Sequence, residues 1–317
     1  MNATDLSLPA ANTVRRFIVE NEPVRGYWVN MEAAWQELRA HHEYPPAVRE
    51  LLGETVSAAV LLAATLKFEG TLTFQLEGDG VVRLLVAQCT NDFRVRAVAR
   101  VENEAEFASG GAVLGGSEGF RRLVGRNGRI VVTVEAAERD MRYQGIVPLN
   151  GESLAECLES YFASSEQLPT QVRLAADDKR SMGLLVQRLP GAGGVDAEEG
   201  SSAAMAWADA QRAISAVTTP ELLHLSLTDL LQRRFTRQDV RAFTGSPVAF
   251  ECRCSLDRVQ GLLRSLGIDE VRAVIREQGA VSVTCEFCHR PYRFDAVDVE
   301  RLFAISSAIP EGPASLH

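Results

Sequence analysis

The chain has 317 residues, 46% hydrophobic and 24% charged, and its net charge is 33 − 42 = −9. Those are globular values, and the length suits about two domains. The acidic balance without any Lys/Arg block excludes the electrostatic footprint of a duplex-binding protein, and the longest apolar run, 58–64, is far short of the ~20 residues that span a bilayer.

Residues 1–16 lack the charged-then-apolar order of a secretory signal, so the expected compartment is the cytoplasm. Residues 1–190 read as one mixed α and β domain. Pro45 and Pro46 can open a helix, because proline is tolerated in a first turn. The run 56–66 is apolar almost all round and predicts a buried helix. Residues 70–77 alternate and predict a strand. Gly78, Asp79 and Gly80 make a turn into a second strand over 81–88, completing a hairpin. Further strands are expected at 93–101, 130–136 and 142–147, with Asn127-Gly128 as a tight turn between two of them. A helix is expected over 153–164. The Gly-rich stretch 110–119 lacks the Lys of a phosphate-binding loop and reads as a plain loop.

Residues 190–202 are Gly-rich and acidic, so they form the clearest break in the chain. Beyond it, Ala203, Trp207, Ala210, Ile214 and Val217 are spaced 4, 3, 4, 3, which is one apolar stripe on a helix. A Leu-rich segment follows at 221–231, and 236–239 resembles a capped helix start. The stretch 203–245 has apolar faces but too little mass for its own core, so it must dock on a neighbour or fold conditionally. The expected architecture is α+β in three parts: an N-terminal domain 1–190, a metastable helical linker 191–247, and a small C-terminal zinc module 248–317.

In that module Ser255 and Gly267 bracket a helix carrying Leu256, Val259, Leu262, Leu263 and Leu266. Asp269 and Gly279 bracket a second helix. A strand over 280–284, a knuckle over 285–288 and a return strand over 292–294 follow. Asp295 caps a last helix that ends near 305. Modules of this size often need a metal or a disulfide.

The six cysteines are Cys89, Cys157, Cys252, Cys254, Cys285 and Cys288. The last four form a Cys-x-Cys pair and a Cys-x-x-Cys pair separated by thirty residues. Two close thiol pairs on separate segments fit one tetrahedral Zn²⁺ per chain. Arg253, His289 and Arg290 lie near enough in sequence to favour thiolates. Oxidation would remove the ligands, and because metal binding is folding energy in such modules, it would unfold the module. The spacing alone fits a permanently structural zinc as well as a redox switch. A c-type haem at Cys285 and Cys288 leaves Cys252 and Cys254 unexplained. A thiol–disulfide oxidoreductase would place its Cys-x-x-Cys at a helix start. A nucleic-acid zinc ribbon would need a basic face, but 248–317 carry 8 Arg against 10 Asp/Glu. Cys89 and Cys157 read as buried small apolar residues, and His41-His42 as surface. No Ser/His/Asp set or carboxylate pair suggests an enzyme.

Motifs along nearly the whole chain resemble the redox-regulated 33 kDa heat-shock chaperone family of bacteria. They include Arg25-Gly26, Tyr44-Pro45, Leu51-Leu52-Gly53-Glu54, Leu66-Lys67-Phe68-Glu69-Gly70 and Gln75-Leu76-Glu77-Gly78-Asp79-Gly80. They continue with Gly183-Leu184-Leu185-Val186-Gln187-Arg188-Leu189-Pro190, Phe250-Glu251-Cys252-Arg253-Cys254-Ser255, Val283-Thr284-Cys285-Glu286-Phe287-Cys288 and Tyr292-Arg293-Phe294. The resemblance implies an ATP-independent holdase, not an enzyme, inactive while reduced and zinc-bound. Peroxide or hypochlorous acid, with partial unfolding, would release zinc and form two disulfides, Cys252–Cys254 and Cys285–Cys288. The linker would then unfold, unfolding client proteins would bind, and the active form would be a homodimer. No nucleic-acid or membrane partner is implied.

Overall fold

The structure is a computed structural model describing residues 11–102, 116–136, 142–190 and 201–306. The chain divides into two compact units, 1–251 and 252–317. The fold is mixed α and β, as the sequence indicates.

The first unit holds two sheets. In one, β1 (Thr13–Val19) and β2 (Val24–Met31) form a hairpin, and β9 (Ser181–Arg188) with β8 (Thr170–Ala176) extends it in the order β1-β2-β9-β8. Gly26 faces Phe17 across the hairpin, and a Cβ there would collide with the Phe17 ring. The second sheet contains β3 (Gly70–Glu77), β4 (Val82–Thr90), β5 (Arg94–Val101), β6 (Arg129–Ala136) and β7 (Arg142–Pro148), in the order β5-β4-β3-β6-β7. The expected hairpin is β3 with β4, pairing Phe74 with Ala87.

Helix α1 (Ala33–Arg39) leads into α2 (Pro46–Thr65), which begins at Pro46 as expected. Thirteen of the twenty residues of α2 are buried. The reason is its position: it packs on β2, β8 and β9 of one sheet and on β4 and β5 of the other. A helix covered on both sides cannot afford a polar stripe. Helix α4 (Leu154–Ser164) starts at its Ser153 cap, whose hydroxyl accepts from Glu156 N.

Two turn expectations are corrected. Residues 116–119 belong to helix α3 (Gly116–Val124), and the rest of the Gly-rich stretch lies outside the described residues. Asn127-Gly128 therefore joins a helix to β6 and not two strands. Asp79 fixes that turn, its carboxylate accepting from Arg126 N, Asn127 N and Asn127 Nδ2. A helix-to-strand turn and a hairpin turn share the same local residues, so the pair could not distinguish them.

Residues 191–200 lie outside the described set. After them come α5 (Ser202–Ser215), α6 (Thr219–His224) and α7 (Leu227–Arg234), each capped by a hydroxyl: Ser201, Thr218 and Ser226. The Thr218 cap is a full capping box with Glu221. The expected helix start at 236–239 is instead a turn into strand β10 (Val240–Ala242). β10 and β11 (Ser246–Pro247) pair with β1, and β12 (Ala249–Phe250) pairs in parallel with β5. The free edge of β1 supplied backbone partners that a local capping pattern cannot anticipate. Residues 240–250 thus stitch the edges of both sheets together.

The apolar faces of α5, α6 and α7 cover one face of the first sheet. Trp207, Ala210, Ile214, Val217, Leu222, Leu223, Leu227, Leu230 and Leu231 share a core with Phe17, Val24, Trp28, Met182, Leu184 and Val186. The opposite face of that sheet belongs to the α2 core. Strands covered on both faces lose the in-out alternation, and β2 and β9 are buried at nearly every position.

The second unit contains α8 (Leu256–Leu266), α9 (Ile268–Gln278), a hairpin of β13 (Val281–Thr284) and β14 (Pro291–Phe294), and α10 (Ala296–Ser306). Ser255 opens α8 and Gly279 closes α9 in the left-handed region at φ 76°, as expected, but Asp269 does not open α9: it lies in the first turn, and the N-cap is Gly267, which has no side chain to bond. Asp295 Oδ1 accepts from Asp298 N at the start of α10. Of the five apolar residues on α8 only Val259 and Leu263 are buried; Leu256, Leu262 and Leu266 are exposed. The small core is Val259, Leu263, Val271, Val281, Tyr292, Phe294, Val299 and Leu302. Arg272 clamps α9 to α10 by a two-pronged pair with Glu300, at 2.7 and 2.6 Å.

Candidate metal centre

Two backbone devices aim the four C-terminal cysteines. Cys252 and Cys254 lie in the extended stretch before α8. There Ser255 caps the helix and Arg258 Nη1 donates to Arg253 O at 2.8 Å, which fixes the loop against the helix. Cys285 and Cys288 lie in the turn joining β13 to β14. That turn is closed by Cys285 N to Arg290 O at 3.0 Å and His289 N to Cys285 O at 2.9 Å. His289 takes the left-handed conformation, φ 51°, to complete it. The Cys-x-x-Cys motif is therefore a knuckle between strands, not the start of a helix.

All four Sγ atoms lie within 4.8 Å of one another. Cys252 Sγ is 3.6 Å from Cys285 Sγ, and Cys254 Sγ is 3.5 Å from Cys288 Sγ. With metal–sulfur bonds of about 2.3 Å, a tetrahedral Zn²⁺ site has an S···S edge of about 3.8 Å. The thiols are therefore spaced as a tetrahedral ion requires. Each is half-buried. Four sulfurs at this separation cannot all ionise unless a cation offsets their repulsion. Donor type, number and spacing all fit zinc.

The protonation of the cluster is uneven. Burial pushes the Cys288 thiol up to about 12, helped by the neighbouring thiols. Burial also raises Cys252. At Cys254 burial acts upward as well, but the Tyr292 hydroxyl and the other three thiols outweigh it and bring the group to about 7. The Tyr292 hydroxyl is buried without a well-aligned partner, and its interaction with Cys254 pushes it up to about 12. Tyr292 thus acts on Cys254. Strand alternation marks Tyr292 as inward-facing, but nothing local in the sequence places it against Cys254.

Cys89 and Cys157 are buried in the first unit, as expected of apolar cysteines. His41 and His42 are half-buried, not surface: His41 lies against Phe250 and His42 stacks on Tyr44 at 5.2 Å. Among the described residues the four clustered cysteines are the only group suited to hold a metal ion. No helix among them is long and apolar enough to cross a membrane.

The family model described as Hsp33 protein matches residues 12–295. A 33 kDa chaperonin of Methylobacillus flagellatus is 39% identical over 298 residues, covering 94% of this chain and 96% of that protein. One from Nitrosococcus oceani is 38% identical, covering 92% and 94% respectively. The fold matches the crystal structure of a 33 kDa chaperonin, a heat shock protein 33 homologue, from Thermotoga maritima. The TM-score is 0.74 at 22% identity, over 93% of this chain and 99% of that one.

Proposed function

The chain belongs to the Hsp33 family of chaperones, and from that premise we propose that it is a redox-regulated, ATP-independent holdase acting in the cytoplasm. The observation that carries this reading is the tetrahedral spacing of the Cys252, Cys254, Cys285 and Cys288 thiols. Bound Zn²⁺ supplies positive charge and fixed geometry at that point, and no electrons. The four thiolates are the oxidisable groups. Two of them lose two electrons to one peroxide, which takes two protons and leaves as two waters while an S–S bond forms. A second peroxide does the same for the other two. Sulfur separations do not select the pairing, since 252–285 and 254–288 are already in contact; the pairing Cys252–Cys254 and Cys285–Cys288 follows the family.

The responsive element is the linker, 191–247, and unmatched polar atoms around its described helices support a marginal docking. The apolar contact with the first sheet is extensive, but polar atoms in and around it are left unmatched. Trp28 Nε1, Arg180 Nε, Arg234 Nε and Gln238 Oε1 are buried without a hydrogen-bond partner. Each such atom costs about 1–3 kcal/mol. A few bonds work the other way: Arg180 Nη1 donates to Leu223 O at 2.8 Å and Gln238 Nε2 to Ala206 O at 2.7 Å. Undocking would bare apolar faces on both the helices and the sheet, and apolar patches of several hundred Å² bind other apolar surfaces. Unfolding clients offer such surface, so binding needs neither ATP nor sequence recognition. The oxidised form is a homodimer in this reading.

Light scattering of a thermally unfolding client tests it. Peroxide-treated protein should suppress aggregation, and reduced, zinc-loaded protein should not. Equal suppression by both forms would overturn the redox regulation, and failure of both would overturn the holdase.

A further inference from the structure

Three methionines have described surroundings, and they differ sharply. Met31 lies in the α2 core, Met182 is 1% exposed and Met205, on α5, is 59% exposed. Along β9 the side chains alternate. Ser181 bonds to Ser57 on α2 at 2.6 Å, and a Cβ on Gly183 would meet Leu61 of α2. Met182, Leu184 and Val186 therefore point to the other face, into the core that α5, α6 and α7 cover. Strand register places Met182 beside Asn30 of β2 and Ala175 of β8, well inside the sheet.

We propose that Met182 is a second oxidation site, concealed by the docked linker, whose sulfoxide holds the protein open after the cysteines have been re-reduced. The inference rests on the undocking argued above. While the linker is docked, oxidant reaches Met205 and not Met182. Once the linker leaves, the Met182 thioether lies on a bared sheet face. Hypochlorous acid transfers its oxygen to the sulfur, forming the S=O bond and leaving as chloride and a proton. Sulfur is oxidised by two electrons and chlorine is reduced by two. Peroxide does the same and leaves as water.

The consequence follows from burial. A thioether suits an apolar core, whereas a sulfoxide is polar and chiral. Redocking would bury that oxygen in the core Met182 shares with Trp28, Trp207, Leu222 and Leu223, whose only side-chain donors are the two indole N–H groups. Taking a sulfoxide dipole out of water into that core shifts the docking equilibrium toward the open form by about tenfold or more. Thiol reductants restore the cysteines but not the sulfoxide, which needs a methionine sulfoxide reductase. The two chemistries thus give a fast switch and a slower memory, each with its own reset.

Peptide mapping after brief hypochlorite pulses measures the first part. In reduced, zinc-loaded protein Met182 should oxidise at least about tenfold more slowly than Met205, and in peroxide-activated protein at a similar rate. The second part compares wild type with Met182→Leu, a volume-conserving change. Both are oxidised with hypochlorite, then treated with dithiothreitol and Zn²⁺, and each is scored against its own activity before reduction. Wild type should retain most of its holdase activity and lose it after methionine sulfoxide reductase treatment, whereas Met182→Leu should lose it on thiol reduction alone. Hydrogen exchange over 202–247 separates the two levels of the argument. Protection that persists through activation overturns the undocking reading itself. Lost protection with Met182 unmodified, or with Met182 oxidised and full redocking, overturns the latch alone.

Discussion

Replacing Trp207 with Ala separates the linker from the core it covers. Trp207 is 7% exposed and lies on α5, in the core shared with Phe17, Trp28, Met182 and Leu184. Truncating a buried aromatic of this size costs about 3–5 kcal/mol, which is a factor of about 10²–10⁴ in an equilibrium constant. The buried, unmatched atoms at Trp28, Arg180, Arg234 and Gln238 leave little margin to absorb that loss. Reduced, zinc-loaded Trp207→Ala should therefore lose hydrogen-exchange protection across 202–247 and suppress client aggregation without oxidation. Trp35→Ala is the control. Trp35 is more deeply buried still, but it sits in the α2 core and its Nε1 donates to Asp177 O at 2.8 Å. Its truncation should lower the melting temperature of the first unit without activating the chaperone. If Trp207→Ala lowered protection uniformly through 11–251 and left the reduced protein inactive, the linker helices would not be a separable element and the reasoning would fail.

Three other outcomes are expected. Cys252→Ser or Cys285→Ser should bind Zn²⁺ far more weakly than wild type by metal analysis, because each removes one vertex of the tetrahedron; full retention of tight zinc by either variant would contradict the site. Peptide mapping after peroxide and mild heat should find Cys252 joined to Cys254 and Cys285 to Cys288, and a dominant Cys252–Cys285 or Cys89–Cys157 bridge would refute the pairing. Burial, and secondarily the charge of Glu50, holds the Glu54 carboxyl at about 8 against an ordinary 4.5. The folded form thus keeps a proton that the unfolded chain has lost, so this group makes stability fall as pH rises from about 4.5 to about 8. Glu54→Gln should flatten that dependence and raise stability by about 1–3 kcal/mol at pH 7, read from thermal melts between pH 5 and 8.5; an unchanged or steeper slope would show that Glu54 is ionised in the fold.

Local rules were enough wherever one segment settles its own structure. The hairpin of β3 and β4, the buried α2, the serine caps at 153 and 255 and the glycine stop at 279 were all legible, because propensity, periodicity and turn chemistry act within a few residues. The four ligating thiols were legible for a different reason: two close Cys pairs have few other uses. What the sequence left open was decided by partners distant along the chain. The capped-helix pattern at 236–239 gave way to strands because the free edge of β1 was there to pair with β10 and β11. β2 and β9 escaped detection because burial on both faces erases the period-2 alternation that marks a strand. For the same reason the partner of the linker stripe could not be named from its spacing: an apolar stripe states that it needs a surface, and only the tertiary fold shows that the surface is the face of Phe17, Trp28 and Met182. The position of Tyr292 against Cys254 is likewise a tertiary fact, since thirty-seven residues, two helices among them, separate strand from thiol and only their packing brings the hydroxyl to the sulfur.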